Sequence, residues 1–61
     1  MLNKVWNIFV SLGIIVYTNA YSDDGLNYID HIVEYRKILY KVTLKEIKNG
    51  FKCISISELR E

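Results

Sequence analysis

Sixty-one residues, 51% of them hydrophobic, with one Cys, one His and a net charge of +1, describe one small domain over residues 1–61. They exclude an internal disulfide and a tetrahedral metal site built from protein thiolates and imidazoles alone. The near-zero charge implies neither a bulk polyanion nor a strongly basic substrate, and a chain this short buries only about 60% of its unfolded surface. A partner or a second copy, giving a homodimer, is the expected supplement.

The N-terminus reads in two ways. Behind Lys4 runs a mostly apolar stretch, Val5–Tyr17, followed by Thr18-Asn19-Ala20. As a leader, residues 4–20 supply a basic start, an apolar middle and a small-residue cleavage site, which makes the chain secreted or membrane-anchored through residues 5–17. The run is short of the roughly 20 apolar residues that span a bilayer and is interrupted by Asn7 and Ser11. As core, Leu2, Val5, Trp6 and Phe9 share a helical stripe, which leaves helix against strand open over 3–12. The β-branched and aromatic content favours a buried strand over about 5–18, bent near Ser11-Leu12-Gly13.

Residues 22–25, Ser-Asp-Asp-Gly, carry helix-start chemistry, since Asp23 or Asp24 can cap and both charges suit a helix N-terminus. Leu26, Ile29, Ile32 and Val33 recur at three-to-four spacing, and Tyr28, Ile32, Tyr35 and Leu39 form a second stripe. The spacing predicts a helix over about 24–37, ending on Arg36 and Lys37. Its first part is acidic: residues 22–35 hold four Asp or Glu and no Lys or Arg.

The next segment is basic and alternates apolar with polar residues, which predicts a hairpin of strands 39–47 and 51–57. A three-residue loop Lys48-Asn49-Gly50 pairs Leu44 with Ile54, Val42 with Ile56 and Glu46 with Lys52, and puts Gly50 in the left-handed position. Lys41, Thr43, Lys45, Cys53, Ser55 and Ser57 then share the outer face. Ile47 and Phe51 flank the turn, and Leu39 meets Leu59 away from the core. The predicted fold is α+β: one helix packed on an antiparallel sheet that contains this β-hairpin.

No residues group for catalysis. His31 lacks a local nucleophile, Cys53 reads as an incidental thiol, and Asp23-Asp24-Gly25 lacks the alternating oxygens of a calcium loop. The expectation is a non-enzymatic chain with no cofactor and no metal. Ile, Lys, Asn, Tyr and Phe supply 27 of the 61 residues while Ala, Pro and Arg supply three, the codon signature of an A/T-rich genome such as that of a phage, virus or mobile element.

The leading expectation is a cytoplasmic binding module or inhibitor that occupies a partner protein's surface, through Tyr28, Tyr35, Lys41, Lys45 and Phe51. A secreted or membrane-anchored small protein is the alternative. A third reading is weak nucleic-acid binding by the basic hairpin, with Lys41 and Lys45 on phosphates and Phe51 as a stacking platform.

Overall fold

The computed structural model describes residues 6–7 and 11–59. Four antiparallel strands follow in chain order: β1 Ile14–Asp23, β2 Leu26–Tyr35, β3 Ile38–Ile47 and β4 Gly50–Glu58. They lie side by side in the order β1-β2-β3-β4, so each pairs only with its neighbours in sequence. The two-residue connections begin at Asp24, Arg36 and Lys48, twelve residues apart each time.

The predicted helix is a strand, and the α+β class gives way to an antiparallel sheet with no packed helix among the described residues. Two features explain the correction. Asp24 and Gly25 both have positive φ, at 53° and 79°, as a type I′ hairpin turn requires; Asp24 is therefore a turn residue rather than a cap. Beyond it, Ile29, Val33 and Tyr35 alternate with Tyr28 and Ile32 along an internal strand, so both faces are partly apolar. Such a strand also shows three-to-four spacing, and its β-branched and aromatic residues suit the sheet. The predicted N-terminal strand starts later than expected, at Ile14. Trp6, Asn7, Ser11 and Leu12 carry helical backbone, and the rest of the question over 3–12 lies outside the described residues.

The hairpin of β3 and β4 is present, with its inner register corrected. Ile47 pairs with Gly50 around a two-residue turn, Lys48-Asn49, which sets Glu46 against Phe51, Lys45 against Lys52 and Leu44 against Cys53. The partner then jumps from Cys53 to Ser55, leaving Ile54 as a bulge. Beyond that extra residue the expected pairs hold: Thr43 with Ser55, Val42 with Ile56 and Lys41 with Ser57. The Leu59 amide donates to the Leu39 carbonyl at 2.9 Å. Gly50 takes a φ of 136°, so a glycine still absorbs the positive φ beside the turn. β1 carries the matching irregularity at Val16, between the pairs Ile15–Val33 and Tyr17–Ile32.

These registers sort the side chains onto two faces. Ile29, His31, Val33 and Tyr35 of β2 share face A with Tyr40, Val42 and Leu44 of β3, and with Cys53 and Ile56 of β4. Among the described residues the buried ones, Val33, Val42, Leu44 and Cys53, all lie there, packed by Trp6, Ile29, Tyr35, Tyr40 and Ile56. Cys53 therefore belongs to the core and not to the outer face. The bulge at Ile54 turns the thiol inward, and burial pushes its pKa up. Face B carries Tyr17, Asn19 and Tyr21 of β1, Tyr28, Asp30 and Ile32 of β2, Lys41, Thr43 and Lys45 of β3, and Lys52, Ser55 and Ser57 of β4. None of them is buried.

Candidate functional site

The three two-residue turns bring distant residues into rows across face B. Tyr21 pairs with Tyr28, Tyr28 with Lys45, and Lys45 with Lys52, so one row crosses all four strands. The tyrosine rings stack at 5.4 Å between centroids and 19° between planes. Lys45 and Lys52 face each other directly, an arrangement that destabilises a sheet unless an anion compensates it. Neither lysine forms an ion pair among the described residues.

The next row is Asn19, Asp30, Thr43 and Ser55, with Asp30 as its hub. Its carboxylate accepts from the Thr43 hydroxyl at 2.8 Å and the Tyr21 hydroxyl at 3.3 Å. The Lys41 ammonium stands 3.7 Å away, from the adjoining row. Desolvation first, then the charge and hydrogen bond of Asp30, raise the Tyr21 pKa, so the phenol stays a donor. Lys41 is thus committed within the face, while Lys45 and Lys52 are not.

Of the five residues expected to bind a partner, Tyr28, Lys41 and Lys45 share face B. Tyr35 and Phe51 lie on face A, where Tyr35 carries the Arg36 guanidinium 5.3 Å from its ring centroid. Phe51 lines a shallow cleft of about 310 Å³ with Ala20, Ser22, Asn27, Ile29 and Glu46. Along that cleft the Ser22 hydroxyl donates to Asn27 Oδ1 at 2.6 Å, and Asn27 Nδ2 donates to Glu46 Oε1 at 2.8 Å. The expected Glu46–Lys52 pair is absent because the two-residue turn puts these side chains on opposite faces. Tyr21 and Lys52 complete the row yet were not among the expected binding residues. The signal for both is symmetry: Tyr21 and Tyr28 are equidistant from Asp24-Gly25, and Lys45 and Lys52 from Lys48-Asn49.

His31 lies on face A, stacked on Trp6 at 5.3 Å and 6°, with its Nδ1 2.8 Å from the Thr18 hydroxyl. Burial lowers its pKa against a smaller opposing effect of Asp30, so the ring packs as a neutral imidazole. Among the described residues no cluster of His, Cys, Asp and Glu could hold a metal ion. No helix among them is long and apolar enough to cross a membrane. No family model matches the chain, and neither the curated proteins nor the solved structures contain a match to it.

Proposed function

We propose that the chain is a non-enzymatic binding module that occupies the surface of a partner protein with face B. The observation that carries this reading is the row Tyr21-Tyr28-Lys45-Lys52. Two stacked phenols offer rigid contact area at small entropic cost, and the facing lysines offer a site for a partner carboxylate. Such a carboxylate relieves the repulsion between them, so part of the binding free energy is already stored in the free sheet. Action by surface occupation is the manner of an inhibitor, and the A/T-rich composition fits a phage, virus or mobile element as its source. In this proposal the chain works in the cytoplasm with residues 4–20 retained, because a cut after Ala20 would remove Ile14–Ala20 from β1.

The test is photo-cross-linking in cells of the source organism. A cross-linking residue at Tyr28 should capture one discrete protein, and reversing Lys45 and Lys52 to Glu should abolish the adduct with the far-UV spectrum unchanged. Equal capture from Tyr35, on the opposite face, would overturn the assignment of face B. Capture of nucleic acid alone would transfer the row to single-strand binding, with bases on the tyrosines and phosphates on the lysines.

A further inference from the structure

The two outer strands treat their open edges differently. On β4 the edge is broken by the Ile54 bulge and carries Lys52 and Glu58, devices that discourage strand addition. β1 is exposed along all ten residues, and beyond its own bulge at Val16 the stretch Tyr17–Asp23 pairs with β2 without interruption. That stretch carries no charge before Asp23 and no proline. Just before it, Leu12, Ile14, Ile15 and Val16 are between 45% and 66% exposed.

We propose that the β1 edge pairs antiparallel with β1 of a second copy, about a two-fold axis through Ala20, to give a continuous eight-stranded sheet. The sequence is self-complementary in this register. Tyr17 meets Asp23 of the other copy, Thr18 meets Ser22, Asn19 meets Tyr21, and Ala20 meets itself. Tyr17, Asn19, Tyr21 and Asp23 all lie on face B, and Thr18, Ala20 and Ser22 on face A; the pairing therefore keeps both faces continuous, as the period of a strand demands. No like charges meet at the centre, and each Tyr17 phenol lies opposite an acceptor carboxylate. Val16 of each copy then reaches the Asp24-Gly25 turn of the other, at the end of the β1 edge. A second copy fits this edge better than an unrelated strand because its own residues supply every complement. The face B rows of the two copies then join into one surface.

Sedimentation of the full chain from about 1 to 100 μM, the range in which modest interfaces dissociate, should show a species of twice the chain mass. Ala20→Lys puts like charges opposite each other at the axis and should weaken the dimer by about tenfold or more. Ala20→Cys should form a covalent dimer with a short thiol-to-thiol cross-linker, since facing β-carbons lie about 4.5–5.5 Å apart; Ser57→Cys on β4 should not, and buried Cys53 stays a bystander. The cysteine arm decides the matter if Ala20→Lys fails to fold. A chain that is monomeric at about 100 μM, a dimer indifferent to Ala20→Lys, or a covalent dimer from the Ser57→Cys variant in place of the Ala20→Cys variant would each overturn the proposal.

Discussion

Faces A and B are built from the same four strands and do opposite work. Face A holds the buried core of the described residues, four side chains with Trp6 and a ring of half-buried neighbours. Face B has no fully buried residue among those described, yet it carries the more elaborate polar arrangement, with Asp30 bonded to Tyr21 and Thr43 and paired with Lys41. A single sheet can therefore separate its apolar core from its polar network by side: the pleat sends alternate residues to each face. The exception on each side is informative. His31 is the polar residue set against the core, and Asp30 is the structural residue on the open face.

The comparison breaks most visibly at the core. Leu44→Ala should cost about 2 kcal/mol or more, in the range for buried aliphatic truncation, and Ile47→Ala, 46% exposed on the same strand, about 0.5 kcal/mol or less. Chemical denaturation of the two variants checks this, and equal losses would deny that the core is one-sided. The next effect sharpens the exception on face B. Asp30→Ala leaves the Tyr21 and Thr43 hydroxyls without their acceptor and should cost about 1–2 kcal/mol, more than any other single truncation on that face. A loss no greater than that of Ser55→Ala would show that the hub is decorative.

The smallest effect is in pH. The native pKa of His31 is depressed below its unfolded value near 6.5, so the unfolded chain binds more protons between those two values. Stability should therefore fall as pH drops through about 6.5 and level off below the native pKa. His31→Gln should remove this part of the slope in denaturation series at successive pH, and an unchanged slope would place the effect on other groups.

The legible part of the fold was the part governed by turns and alternation. Strands 39–47 and 51–57 lie within one residue of β3 and β4, and the outer register through Val42–Ile56 was readable because alternation there is unambiguous. Helix and strand were confused over 26–35 because an internal strand half-buried on both faces spaces Ile29, Ile32 and Val33 as a helix does. Bulges were invisible for a different reason. One extra residue at Ile54 costs the pattern little, yet it reverses the direction of Cys53, so both a two-residue turn and the outer pairs of a three-residue loop coexist. Of the residues expected to bind a partner, Tyr28, Lys41 and Lys45 share one face through a pairing with β2 that a helix there would forbid. Tyr35 and Phe51 fell on the other.

The turn at Arg36-Lys37 makes the sheet uneven in how it opens. At the first connection a glycine, Gly25, shares the positive φ with Asp24, and beside the third Gly50 takes it, whereas here both residues carry β-carbons, at 53° and 65°. Each left-handed placement of such a residue costs about 1 kcal/mol or more, and separation of β2 from β3 returns that energy. Left-handed strain on residues with β-carbons is thus greatest at the connection that joins the β1-β2 and β3-β4 hairpins. What opposes that separation is the contact layer of Val33 and Val42, both without exposed surface.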